Sequence, residues 1–280
     1  MNIRILSVAL LAATAITFSG CGYSATTAKQ QPAERSAERS IPSSINCGGG
    51  GGKNEQATTP DRTRNPVRIV FEQDKSGSAS ATLTAQLSEN DFIVPIDVLR
   101  CVGGELGVGV VDNSSKKSFV RLRIEPPPSS PSPSDASNVF VRANEDASYQ
   151  QRLNDYNKDL EKWTAETDKR VKTFLAQVAE VLKQSPTAKR TSVWNAIARA
   201  DLMLNESDAT WPHPTHRYAV LNSDCQETAH TKPVEVKSGA QWIVVNGAGS
   251  VGVAEAMKPE RFENPAAAFE FIKAKELGGK

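Results

Sequence analysis

Val67-Arg68-Ile69-Val70-Phe71, separated by Glu72-Gln73 from Asp74-Lys75-Ser76-Gly77-Ser78, is the stretch on which the fold turns. Its first part is a short apolar run with β-branched residues and predicts a strand. Its second part sets one carboxylate and two hydroxyls into a turn at that strand's C-terminal end. In an open α/β sheet, ligands bind at the carboxyl ends of strands. Oxygens packed into one small cup there suit a hard cation, Mg²⁺ or else Mn²⁺ or Ca²⁺.

Working outward, residues 81–101 carry helical spacing through Leu83, Leu87, Ile93, Ile96 and Leu99. Pro95 is expected to kink or restart that helix, and Gly104 to end it. Leu106 to Val111 reads as a second strand, and Ser118 to Ile124 alternates like a third, half-buried one. Pro126-Pro127-Pro128, with Pro131 and Pro133 among serines, reads as an exposed linker. The longest helical pattern covers 147–184: Tyr149, Leu153, Tyr156, Leu160 and Trp163 form a stripe that Val171, Phe174, Val178 and Leu182 continue. Such a stripe covers a core or meets a partner. Ser192 to Leu204 follows as an amphipathic helix on Val193, Ile197 and Leu202. Tyr218 to Leu221 is a strand, Trp242 to Val245 is read as the last one, and residues 265–277 close the chain as a helix. Strands alternating with helices predict an α/β domain with a mostly parallel sheet covered on both faces.

Two further residues fall at the strand edge that carries Asp74. Thr191 stands at the start of the helix beginning Ser192-Val193-Trp194, and Asp224 follows the strand ending at Leu221. With Asp74, Ser76 and Ser78, this set resembles the metal-ion-dependent adhesion site of von Willebrand factor A-type (vWA) domains. That family has Asp-x-Ser-x-Ser after its first strand, a threonine before a helix and an aspartate after a later strand. The resemblance runs from Val67 to Leu277 and implies a Rossmann-like fold with a linker and long-helix insertion at about 126–185. It implies that Ser76, Ser78 and Thr191 are hydroxyl ligands and that Asp74 and Asp224 bind mostly through water. It also implies a coordination position left for a carboxylate of a partner protein. The chain departs from the family in two places. Cys225 stands where a glycine usually follows the second aspartate, and Thr191 follows Lys189 and Arg190 rather than glycines. Lys75, Lys189 and Arg190 are expected near the cup, where like charge weakens cation binding.

At the N-terminus, Arg4 precedes an apolar run from Ile5 to Phe18 that is too short to span a membrane, the pattern of a secretory signal. Its exit, Phe18-Ser19-Gly20-Cys21, resembles the lipobox of bacterial lipoproteins. The resemblance implies cleavage after residue 20 and a lipid on Cys21. Gly22, not aspartate, follows, which favours an outer-membrane address facing the periplasm over the inner membrane or the cell surface. Residues 21–64, rich in Ser, Thr, Gln and Gly, then read as a flexible tether, and 65–280 as the domain. About 40 such residues reach roughly 30–40 Å. With Cys21 lipidated, Cys47, Cys101 and Cys225 remain, enough for one pair and one free thiol in an oxidising compartment. Cys101 and Cys225 are expected at opposite ends of the sheet, which disfavours their pairing, while Cys47 can reach either.

The charge balance, 33 basic against 32 acidic residues, provides no field that selects nucleic acid. Gly247-Ala248-Gly249-Ser250-Val251-Gly252 spells a dinucleotide-binding pattern, but too little chain follows for a second strand with its acid. His213 and His216 lie among prolines with no cysteine cluster nearby in sequence. No nucleophile–base arrangement is assembled, so no catalysis is expected. The leading expectation is a lipid-anchored module that holds an acidic residue of a partner protein through a Mg²⁺ site. The alternatives are a metal-free scaffold using the 147–184 helix and, remotely, a nucleotide-binding enzyme using Gly247–Gly252.

Overall fold

The computed structural model describes residue 47 and residues 65–75, 87–132, 139–183, 189–207, 211, 215–245 and 252–278, with the side chains of 139–146 excepted. Among the described residues six strands form one sheet: β1 (Val67–Asp74), β2 (Gly104–Val111), β3 (Val120–Ile124), β4 (His216–Asn222), β5 (Gln241–Val245) and β6 (Glu260–Phe262). Their order is β3-β2-β1-β4-β5-β6. All pairs are parallel except β2 with β3. The α-helices are α1 (Ile93–Val102), α2 (Val139–Lys183), α3 (Val193–Leu204) and α4 (Pro265–Leu277). The chain is thus an α/β fold with a mostly parallel sheet, as its alternating pattern predicts. β6 lies beyond the strand read as the last; at three residues it is too short to register as an apolar run.

β1 is central and buried along its whole length, and its two faces do different things. Phe71 meets Phe92 and Phe269 at ring-centroid distances of 5.2 and 5.6 Å, closing the core against α1 and α4. On the other face Val70 packs with Val193, Ile197, Ala200 and Met203 of α3. Two charged residues of β1 share that second face. The Arg68 guanidinium donates to the Glu206 carbonyl just past α3 at 3.0 Å. Glu72 is fully buried and pairs with Arg199 of α3. Gly109 on β2 makes room for this pair, since a Cβ there would stand 2.7 Å from Glu72 Oε2.

Several sequence expectations are corrected. Of the helix expected across 81–101, the described part is a 3₁₀ turn at Glu89–Phe92 followed by α1, and residues 81–86 lie outside the described residues. Pro95 sits in its first turn, where its missing N–H costs nothing. Gly103, not Gly104, ends it in a left-handed conformation (φ 78°), and Gly104 already belongs to β2. In α3, Leu202 is 72% exposed and the buried stripe runs through Val193, Ile197, Ala200 and Leu204. At about 100° per residue, Leu204 returns to the azimuth of Ile197 and Leu202 does not. The proline stretch is not a free linker: Pro127 is buried, and Pro126 lies against Gly103. Residues 133–138 of it are outside the described residues. The long helix starts earlier than expected, and the burial of its stripe changes along its 45 residues. Val171, Phe174 and Val178 are buried, whereas Tyr149, Leu153, Tyr156 and Leu160 are only half covered. No helix among the described residues is long and apolar enough to cross a membrane.

Cys47 is disulfide-bonded to Cys101 at the end of α1, with Cα atoms 5.4 Å apart, and Cys225 is a buried free thiol. Cys101 lies next to the N-terminal ends of the strands and Cys225 beyond their C-terminal ends, the separation that disfavours pairing them.

Candidate functional site at the carboxyl edge of the sheet

Three of the five expected ligand residues are described: Asp74, Thr191 and Asp224. Ser76 and Ser78 lie outside the described residues. Register brings the three to one edge. Asp74 ends β1 opposite Val111, the last residue of β2. Immediately after Val111, the Asp112 carbonyl accepts the Ser192 N–H at 2.9 Å, which fixes Thr191 beside the β1–β2 edge. On the other side of β1, Asn222 pairs with Gln73, and Asp224 follows two residues later.

The loops hold one another through side chains. Asp112 Oδ1 accepts the amides of Ser114 and Ser115 at 2.9 and 2.6 Å, folding the turn after β2. The Ser115 hydroxyl then donates to the Ser192 carbonyl at 3.0 Å. The Thr191 N–H donates to Thr228 Oγ1 at 2.7 Å, and its carbonyl accepts from the amides of Thr228 and Ala229. Thr191 stands just before the N-cap of α3 rather than within the helix. Ser192 occupies the cap position without a side-chain cap bond; Glu227 accepts the Trp194 N–H at 3.0 Å instead. A carboxylate at a helix N-terminus satisfies an orphan donor and the helix dipole together. Sequence offered no signal for this cap, because 33 residues separate the partners.

Asp74 is 2% exposed and Thr191 1% exposed. The Ser223 hydroxyl donates to Asp74 Oδ2 at 2.5 Å and accepts the Cys225 N–H at 2.8 Å. Ser223, between the strand and Asp224, was not among the expected site residues. Asp224 is half-buried, and its Oδ1 accepts the Gln226 N–H at 3.0 Å, an Asx turn. Burial, with smaller contributions from the Asp74 and Asp224 charges, pushes the Cys225 thiol up to about 12. The thiol therefore stays protonated.

Cys225 has φ 55°, the left-handed conformation that glycine adopts at least cost. The backbone at Cys225 takes this bend, and its side chain fills the α3-side core. Its carbonyl accepts the Val253 N–H at 3.1 Å. A Cβ on Gly252 would lie 2.0 Å from that carbonyl, so Gly252 serves backbone contact here. The other residues of Gly247–Gly252 are outside the described residues.

The cations differ from expectation in one respect. Lys75 Nζ donates to the Leu182 carbonyl at 2.5 Å, at the C-terminal end of α2. A cation there meets the negative end of the helix dipole and is drawn off the cup. Burial lowers its pKa below the ordinary value. Lys189 and Arg190 remain exposed beside Thr191. Among the described residues no three His, Cys, Asp or Glu side chains group as metal ligands. The described side-chain oxygens at this edge are the buried Asp74 carboxylate, the buried Thr191 and Ser223 hydroxyls and the half-buried Asp224 carboxylate. His216 is a structural residue at the opposite end of the sheet, bonded to Glu276 at 2.9 Å and to Asn65 at 3.0 Å, and His213 is outside the described residues.

No family model matches the chain. No curated protein matches it. Among solved structures it is similar to the pilus adhesin SpaC from Lactobacillus rhamnosus GG in its open conformation, with 9% identity over 78% of this chain and a TM-score of 0.40. The chain spans 31% of that adhesin's length.

Proposed function

We propose that the chain is a bacterial lipoprotein, anchored through Cys21 and carrying a vWA-like domain that binds a partner protein rather than catalysing a reaction. The observation that carries this is the convergence of Asp74, Thr191 and Asp224 at one sheet edge. Asp74, Thr191 and Asp224, joined by Ser76 and Ser78 as the resemblance implies, are the residues that hold Mg²⁺. When bound, the cation supplies a Lewis-acidic point for an acidic side chain of the partner. Asp74 and Thr191, both buried, would hold it at a fixed place, and Ser223 orients the Asp74 carboxylate. Lys189 and Arg190 draw an acidic partner towards this edge. The anchor favours the outer membrane facing the periplasm.

Calorimetric titration of the Cys21→Ser chain with Mg²⁺ and with Mn²⁺ tests the site. Saturable binding that disappears in Asp74→Ala is expected; an Asp74→Ala chain that folds and binds the ion unchanged overturns it.

The half-covered stripe Tyr149, Leu153, Tyr156 and Leu160 supports a second reading, a metal-free scaffold that uses α2. Partner capture from the envelope that persists in EDTA and is lost in Leu153→Asp separates this reading from the first.

A further inference from the structure

β3 is the outer strand of the sheet on its side, and a groove of about 540 Å³ runs between it and α2. Arg121, Leu122 and Arg123 all line the groove. Neighbouring side chains on a strand point to opposite faces, so a groove touched by three in a row lies against the strand's hydrogen-bonding edge. Trp163 Nε1 of α2 donates to the Glu125 carbonyl at 3.0 Å, just past β3. That carbonyl therefore points out of the sheet. Strand residues alternate the side on which they present N–H and C=O, so Arg121 presents its pair outward as well. An edge of this kind accepts a further strand.

The walls say what that strand carries. Arg121 and Arg123 stand on the β3 side, Lys169 and Arg170 on the α2 side, against the single acid Glu166. Arg121 is held by Glu105 and Glu206, and Arg123 by Glu125. Lys169 and Arg170 are exposed and form no ion pair among the described residues. The ion pairs neutralise the β3 wall, so the positive potential in the groove comes from Lys169 and Arg170 on the α2 wall. Leu122 and Phe174, each 2% exposed, make an apolar floor.

We infer that the β3 edge binds an extended acidic segment of a partner protein as an added strand. Main-chain hydrogen bonds to β3 fix its register, alternate acidic side chains meet Lys169 and Arg170, and the intervening side chains rest on Leu122 and Phe174. This contact lies on the flank of the domain and is independent of the cup.

The test is an NMR titration of the ¹⁵N-labelled Cys21→Ser chain, in EDTA, with a six-residue peptide alternating Glu and Val. The amide signals of Val120 to Ile124 are expected to shift. Affinity should fall about tenfold in the Lys169→Glu/Arg170→Glu chain, whose changes are on the exposed helix surface. The corresponding Lys/Val peptide should not bind. Replacing the central valine by proline, which removes a main-chain donor, should weaken binding by a similar factor. No shift at millimolar peptide, equal binding by the double variant, or equal binding of the proline peptide each overturns the proposal. Because EDTA is present, failure here leaves the cation reading of the cup intact.

Discussion

The Ser223 hydroxyl bridges two elements of the carboxyl edge: it donates to Asp74 Oδ2 at 2.5 Å while accepting the amide of Cys225 at 2.8 Å. One buried oxygen thus joins the end of β1 to the bend after β4. Ser223→Ala leaves a buried carboxylate and a buried amide each short of a partner. The expected loss of stability is about 2 kcal/mol in urea unfolding. A loss below about 0.5 kcal/mol would show that the bridge is not formed.

Cys225 offers a test of backbone against packing. Cys225→Ala keeps the left-handed strain and removes the sulfur from the core beside Trp194, Leu221 and Val244. It should cost about 1–2 kcal/mol. Glycine ordinarily costs more than alanine, but at φ 55° it relieves roughly 1 kcal/mol of strain. Cys225→Gly is therefore expected to be no less stable than Cys225→Ala. Finding it more than about 1 kcal/mol worse would contradict the role given to that bend.

Glu72 gives the domain a pH dependence opposite to that of most carboxylates. Burial raises its pKa from 4.5 to about 7, against the pull of Arg199 and with a small push from Asp112. A carboxyl raised on folding binds its proton more tightly in the native state. Its contribution is complete below pH 4.5 and is lost as pH rises through 7. Thermal unfolding scans from pH 4 to 8 should show this loss in the wild type and a flatter profile in Glu72→Gln. Parallel profiles would refute it.

The Cys47–Cys101 disulfide changes the expected geometry of anchoring. It closes a sequence separation of 54 residues, for which the chain-entropy estimate is about 4 kcal/mol, commonly less in practice. It also ties the chain at Cys47, 26 residues after Cys21, to the end of α1. The attachment lies at the N-terminal end of the sheet, opposite Asp74. Cys101→Ser is expected to lower stability by about 2–4 kcal/mol, read as a shifted urea midpoint. An unchanged midpoint would argue against the bond in solution.

Cys21→Ser is expected to move the protein from the membrane fraction to the soluble one and leave Mg²⁺ binding as it is. Retention in the membrane fraction would argue against the lipid anchor.

Some of this was legible without coordinates because it rests on local pattern. The apolar runs at 67–71, 106–111, 218–221 and 242–245 are strands, and 193–204 and 265–277 are helices, because each carries its own periodicity and stops. Their alternation determines an α/β fold with a mostly parallel sheet, and strand ends then locate Asp74, Thr191 and Asp224 at one edge. What the tertiary structure alone decided is every contact whose partners lie far apart in sequence. Ser223 meets Asp74, Glu227 caps α3, Lys75 turns to the end of α2, and Cys47 selects Cys101. Arg68, inside a run that reads as apolar, and Glu72, just past it, are buried because the Glu206 carbonyl beyond α3 and Arg199 on α3 meet them. Periodicity records which way a side chain points; only the assembled fold determines what it finds there.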